Sequence, residues 1–338
     1  MPRLGMTRTL CGLLVTLMMG SVGHAAGKAG TQWFDGTLAE ALAQARKSGK
    51  KVLVKFEASW CGPCRRLAKE VYDSAAGREA TKGMISVRVD FDQPGSRPLI
   101  ERYVVLGLPT TVIVDAKGRQ LSRIMGYDGR ARYLALLAQE AVDPLPKLEA
   151  YLKRDATDDA RLALGKALLV RSGADPKRLA RAKALLEPLL WRRPIRGSAE
   201  RRRLERMAEA LFVLGRYHHR VRRQPEVAQH LWRSLATRCA ETSWAGAAWW
   251  WFAKSQAQLG RPQQGAMALA EQHARFPDRP STIQQWLAFA EKHRLIFQAK
   301  ALREALTRLK PSAALPAAKL KGLRARAEKL AQSAAAAP

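Results

Sequence analysis

The sequence predicts an α/β unit over residues 31–143 followed by an all-α region over 147–310, and three observations carry that reading. Helical and strand-like patterns alternate through the first segment. The second is dominated by Ala, Leu, Arg and Gln, with few β-branched residues. Charge divides along the same line. Residues 1–145 hold 21 basic and 13 acidic side chains, a net +8, whereas residues 146–338 hold 38 and 16, a net +22. At 338 residues, 47% hydrophobic and 26% charged, the chain is long enough for two such units. That composition excludes wholesale disorder, collagen-like repeats and a polytopic membrane protein.

The first 26 residues read as a targeting segment. Arg3 and Arg8 precede the apolar run Leu10–Met19, which leads to small residues ending in Ala25 and Ala26. This order describes a secretory signal peptide cleaved after Ala25 or Ala26. The run is well short of the ~20 apolar residues that span a bilayer. Cys11 lies at its start, where a lipoprotein cysteine would follow it. The expectation is an exported protein, soluble after cleavage and periplasmic in a bacterium. Of the four cysteines, Cys61, Cys64 and Cys239 would survive, too few for a disulfide scaffold in a chain this long.

Each element of the first unit has its own signal. Leu38, Ala41, Leu42 and Ala45 share one helical face in Thr37–Lys47, with Asp35 or Thr37 as N-cap. Gly49-Lys50-Lys51 ends that helix, and Val52–Phe56 is a short buried strand. Trp60-Cys61-Gly62-Pro63-Cys64 then opens a helical segment running through Val71 and Ala75. Ile85, Val87, Val89 and Phe91 alternate with polar residues in a second strand, and Leu99–Tyr103 is a short helix. Thr110–Val114 and Gln120–Ile124 form a hairpin around Ala116-Lys117-Gly118. Gly129–Gln139 closes the unit as an amphipathic helix before the linker Asp143–Pro146.

These residues resemble the thioredoxin fold, a central mixed sheet flanked by helices. The match rests on Trp60-Cys61-Gly62-Pro63-Cys64 after the first long strand, on Gly107-Leu108-Pro109-Thr110 before the hairpin, and on Gly126 after the last strand. The surroundings are similar to secreted thioredoxin-like proteins, among them the C-terminal periplasmic domain of DsbD-type reductases. The resemblance covers about 115 residues, a third of the chain. It implies that Cys61 is the nucleophilic thiolate and Cys64 the resolving cysteine of a thiol–disulfide exchange. Cys61 is expected to be the more exposed sulfur and Cys64 the more buried, with Arg65 and Arg66 adding positive charge nearby. Trp60, Gly62 and Pro63 would shape the dithiol ring, with Trp60 shielding one side of it. A cis Pro109 would stack against the sulfurs while the Leu108 backbone pairs with the substrate chain. The Cys-Gly-Pro-Cys form is that of the reducing members, near about −270 mV, so reduction is favoured over oxidation. No cofactor is implied.

One position departs from the family. Six residues before Cys61, thioredoxins carry a buried Asp, and Lys55 stands there instead. Glu57 has the same strand parity and could supply the carboxylate of a proton relay or pair with Lys55; a solvated strand-end pair is the bland alternative. For the dithiol as a whole the alternatives are a structural disulfide or half of a zinc site. Only Cys239 is left over and no His stands close in sequence, so four zinc ligands are poorly supplied and no metal is expected.

The second region reads as helical pairs separated by short Gly or Pro breaks. They are Ala160–Val170 with Lys177–Leu190, Arg201–Tyr217 with Glu226–Cys239, Trp244–Leu259 with Gln263–Arg275, and Ser281–Lys292 with Phe297–Leu309. The third pair fits a tetratricopeptide template in part, through Trp249, Phe252, Ala253, Gly265, Leu269 and Pro277. A tetratricopeptide-like solenoid is therefore expected, with a compact bundle as the alternative, and residues 311–338 read as a basic Ala-rich tail. Trp249-Trp250-Trp251 spreads around the helix, so core packing of one or two rings precedes any aromatic platform. His218 and His219 point apart, and Cys239 reads as a buried free thiol.

Arg201-Arg202-Arg203 and Arg220–Arg223 carry no nucleic-acid motif, and no nucleic-acid partner is expected. An anionic membrane surface or acidic partner suits an exported basic chain better, beside the plain reading of a solvated Arg-rich face. Three function classes follow. The leading one is an exported thiol–disulfide oxidoreductase, acting on disulfide-containing clients and fed by an electron-donating thiol–disulfide partner, such as a membrane-embedded one. The others are a redox-sensing or chaperone-like adaptor whose helical region carries the function, and an anionic-surface-binding structural protein.

Overall fold

The computed structural model describes residues 30–139, 141–173, 175–191, 198–276 and 280–308. The expected signal segment, the Ala-rich tail and Pro277 lie outside them.

The first unit is a four-stranded mixed sheet covered on both faces. Helix α1 (Leu38–Ser48) is launched by a capping box: Glu40 receives the Thr37 N–H at 2.7 Å, while the Thr37 hydroxyl accepts from the Glu40 N–H at 3.3 Å. Strand β1 (Lys51–Glu57) pairs in parallel with β2 (Met84–Asp90) and antiparallel with β3 (Thr110–Val114), which pairs antiparallel with β4 (Gln120–Met125). The strand order is β2-β1-β3-β4. Lying at the centre, β1 is buried from Val52 to Phe56, which explains its near-continuous apolar run.

Alternation along β1 splits the core. Val52, Val54 and Phe56 face α1 and helix α4 (Arg97–Arg102), whereas Leu53 packs with Leu67, Val71, Tyr72 and Tyr133 on the other side. That second layer is built from α2 (Gly62–Leu67), α3 (Ala75–Thr81) and α5 (Arg130–Ala138). The single helix expected from Cys64 through Ala75 is two. It passes from α2 into a π-helical turn, Ala68–Tyr72, and stops at Asp73. The Ser74 hydroxyl then donates to the Val71 carbonyl at 2.7 Å and accepts from the Gly77 N–H at 3.2 Å, so it closes one helix and caps the next.

Beyond residue 144 the described structure is helical. Helix α6 (Leu145–Arg154) starts within the expected linker, because Pro146 fits the first turn of a helix as readily as a loop. It is followed by α7 (Asp158–Leu169), α8 (Pro176–Leu190), α9 (Ser198–Arg216), a π-helical turn (Tyr217–Arg222), α10 (Pro225–Arg238), α11 (Ala245–Gln258), α12 (Pro262–Arg275), α13 (Pro280–Lys292) and α14 (Ile296–Arg308). Each packs on its neighbour in sequence. Pro176, Pro225 and Pro262 each open a helix, where their missing N–H costs nothing.

Trp232, fully buried, stacks on Trp251 with ring centroids 5.9 Å apart. A Cβ at Gly215 would meet the Trp232 ring at 2.7 Å, so α9 and α10 approach closely only because residue 215 is glycine. Gly215→Ala is expected to lower stability by about 1–3 kcal/mol through overpacking, read as a lower melting temperature in a thermal scan.

The two regions share packing. Val104 and Leu106, from the loop that leads to Pro109, belong to the same apolar cluster as Leu164, Leu211 and Trp232. Arg123 donates to the carbonyls of Tyr103 and Val104 in this loop and of Val170 at the end of α7. Arg216, from the end of α9, donates to the Leu106 carbonyl at 2.5 Å. The helical region is thus built against the loop that shapes the dithiol's surroundings.

Candidate active site

Cys61 and Cys64 form a disulfide at the start of α2, with Cα atoms 5.2 Å apart. Cys61 is the N-cap of that helix, and its sulfur accepts the Cys64 N–H at 3.2 Å. Pro63 occupies the first turn. This arrangement gives the Cys61 sulfur an aimed donor at the positive end of a helix, which favours negative charge on it once the bond is opened.

The expected contrast in exposure is absent: Cys61 is 4% and Cys64 2% accessible. Phe91 and Leu108 pack over the cluster that the two cysteines make with Ala58, closing the Cys61 side as well. Phe91, one residue beyond β2, carried no signal in the sequence except as the last apolar residue of a strand. Trp60 lies outside this small cluster; it is 55% exposed, and its indole N–H donates to Asp92 at 2.5 Å. Arg65 donates to the Ser59 carbonyl at 2.6 Å, tying the start of α2 to the loop before it.

The Leu108–Pro109 peptide is cis, and Pro109 is buried while Leu108 is partly exposed. Its loop is held from three sides. The Thr110 hydroxyl donates to the Gly107 carbonyl at 2.7 Å, the Gly126 N–H donates to the Pro109 carbonyl at 2.8 Å, and Arg216 takes the Leu106 carbonyl. A Cβ at Gly107 would come within 2.8 Å of the Arg216 guanidinium. The third contact comes from 110 residues away, and sequence reasoning missed it.

Lys55 is 1% exposed and bonds Glu57 Oε2 at 2.5 Å; Glu57 itself is 24% exposed. The pair is therefore not a solvated strand-end pair. The Lys55 ammonium lies 5.0 Å from the Tyr72 ring centre and 5.7 Å from that of Trp33. Burial pulls its pKa below the usual lysine value, and the hydrogen bond it donates to Glu57 works against that shift. Nearby, the Tyr72, Thr111 and Tyr133 hydroxyls form a buried triangle with edges of 3.0, 2.9 and 2.6 Å, joining the π-helical turn to β3 and α5.

Other singled-out residues lie in the helical region. His218 and His219 diverge, to Gln224 at 2.8 Å and Ser255 at 3.0 Å respectively. Cys239 is a fully buried free thiol whose pKa burial pushes up to about 11. Trp251 is buried, whereas Trp249 and Trp250 are partly so. Among the described residues no helix is long and apolar enough to cross a membrane.

A mixed sheet in this order, a Cys-x-x-Cys disulfide opening a helix and a cis-proline loop before the hairpin define a thioredoxin-like domain. Residues 38–141 match the family model described as a thioredoxin-like domain. The chain is similar to the thiol:disulfide interchange protein DsbD of Ralstonia nicotianae, 30% identical over 101 residues, covering 29% of this chain and 17% of that protein. It is also similar to the protein disulfide-isomerase of Zea mays, 32% identical over 119 residues, covering 33% and 22%. Among solved structures, the C-terminal domain of Neisseria meningitidis DsbD in its oxidised form has 22% identity and a TM-score of 0.27, covering 31% of this chain and 96% of that one. The chain thus spans about a fifth of the length of these two curated relatives.

Proposed function

We propose that this protein is an exported thiol–disulfide oxidoreductase that reduces disulfides in client proteins. The observation that carries the reading is the Cys61 sulfur at the N-cap of α2, receiving the Cys64 N–H beside the Leu108–Pro109 loop. In the reduced enzyme, the Cys61 thiolate attacks one client sulfur, forms a mixed disulfide and expels the other client sulfur as thiolate. The Cys64 thiolate then attacks Cys61, closing the Cys61–Cys64 bond and releasing the second client thiolate. Two electrons have moved to the client, and a dithiol partner must return them.

Leu108 supplies backbone for pairing with the extended client, while Trp60, Gly62 and Pro63 shape the approach. The Lys55–Glu57 pair, on the strand leading into the motif, takes the place of the family's buried Asp as proton relay. The helical region, tetratricopeptide-like in its consecutive packing, serves as the docking platform for client or donor; its hold on the loop before Pro109 supports that role.

The test mixes the reduced protein with insulin, then quenches with acid, alkylates and weighs the Cys61–Cys64 peptide. Insulin thiols are expected to appear at the rate at which the enzyme dithiol is lost. A dithiol that stays reduced while insulin stays oxidised would overturn the proposal.

A further inference from the structure

Beside Trp60, the neighbour of the nucleophile, a groove of about 500 Å³ runs between the two regions. Trp60 and Phe91 stand on one side, and Trp251 with Arg220, Arg223 and Lys254 on the other. No carboxylate is among the described residues that line it.

The cations around the groove are not equivalent. Arg97 is engaged: it pairs with Glu101 at 2.8 Å and donates to the carbonyls of Arg220 and Val221, so it fixes the π-helical turn. Arg220 lies 5.2 Å over both Phe91 and Trp251, and its buried Nη1 has no hydrogen-bond partner. The carboxylate acting on Arg220 is that of Asp92, whose Oδ2 already receives the Trp60 indole N–H. Lys254 stands 5.0 Å over both Trp250 and Trp251 and makes no ion pair among the described residues. Burial, with Arg220, Lys292 and Arg216 close by, pulls its pKa down to about 8. Arg223, exposed, adds charge at the rim. Positive charge has been gathered here against desolvation and mutual repulsion, and an incoming anion would offset both costs.

We propose that this groove is a carboxylate-binding subsite, selecting client chains that carry an acidic residue close to the reacting cysteine. The proposal rests on the reductase reading above and names its substrate class. An extended chain advances about 3.3 Å per residue, so an acidic side chain within about three residues of the client cysteine spans the width of Trp60 and enters. Arg220, 5.2 Å from the Phe91 and Trp251 ring centres, brings an unpartnered Nη1 to the wall of the groove, while Lys254 and Arg223 supply charge from the helical side. Glutathione disulfide also brings carboxylates to a disulfide, and the test separates it from a polypeptide.

The experiment measures the second-order rate constant at which the pre-reduced full-length protein reduces two disulfide peptides that differ only in Glu or Gln two residues before cysteine, and glutathione disulfide. The Glu peptide is expected to be reduced about tenfold faster than the Gln peptide at low salt, with the ratio falling as ionic strength rises. In Lys254→Gln and Arg223→Asn that ratio should drop to about threefold or less. Asn suits residue 223, whose φ is 53°, and the exposed rim position keeps the test alive should the Lys254 variant fail to fold. Arg233→Gln, exposed and outside the groove, should retain the ratio. Equal rates for the two peptides would overturn the subsite while leaving the reductase standing. A higher rate constant for glutathione disulfide than for the Glu peptide would overturn selection of client chains. Failure to reduce insulin or either peptide would overturn both readings.

Discussion

Cys61→Ser is expected to bring protein-disulfide reduction to the uncatalysed rate, a loss of at least about a thousandfold. The serine hydroxyl does not ionise in the working range, and its oxygen cannot stand in for sulfur in the mixed disulfide. The change is nearly isosteric inside the small cluster of Ala58, Cys61 and Cys64, so the fold should persist, which a circular dichroism melt checks. Cys64→Ser separates the two steps. Attack by Cys61 survives and resolution does not, so a covalent enzyme–client adduct should accumulate, visible as an added client mass that disappears with excess reductant. Insulin turbidity is the readout for the first variant and intact-protein mass spectrometry for the second. Wild-type turnover in Cys61→Ser would mean that the chemistry lies elsewhere in the chain.

The dithiol was legible in the sequence because everything that defines it is local. Trp60 to Cys64 is one turn of chain, and the Leu108–Pro109 loop is signalled by its own four residues. The helices from α7 onward were legible for the same reason, since a 3.6-residue period is a property of one segment, whereas α6 lay partly in what read as a linker. What covers the dithiol was not. Phe91 closes the sulfurs from the end of a neighbouring strand, and Arg216, Arg220 and Trp251 arrive from more than 100 residues away. No periodicity records such an approach. The break at Asp73 and Ser74 was hidden too, because Val71 and Ala75 keep helical spacing across it while the Ser74 hydroxyl ends one helix and caps the next. Lys55 and Glu57 lie between these cases. Their shared parity on β1 made a pair foreseeable, but whether it was dry or solvated depended on Trp33 and Tyr72, which pack over the lysine from other elements.

That burial makes Glu57→Val the second large expected effect, a destabilisation of about 3 kcal/mol at neutral pH. Valine suits a strand and keeps the apolar contacts, but it leaves the Lys55 ammonium 1% exposed with no carboxylate at 2.5 Å. The Tyr72 and Trp33 rings recover only part of the loss. Lys55→Met, by contrast, exchanges a buried charge for an apolar chain of similar volume and leaves Glu57, 24% exposed, to be hydrated; it should be near neutral or stabilising. The double variant should recover most of the Glu57→Val deficit, giving a coupling of about 2–3 kcal/mol in a double-mutant cycle. The sign of the pH dependence follows from the same contacts. Burial already lowers the Lys55 pKa, and Glu57 opposes that shift, so without Glu57 the folded lysine loses its proton more readily still. Between that lowered value and the ordinary value of about 10.4, the unfolded chain binds more protons than the folded one, and stability rises with pH. The Glu57→Val deficit, measured against wild type by urea denaturation, should therefore shrink between pH 7 and pH 9.5, whereas Lys55→Met should show no such recovery. A deficit of constant size across that range, or strict additivity in the double variant, would show that Glu57 does not hold a buried cation in place.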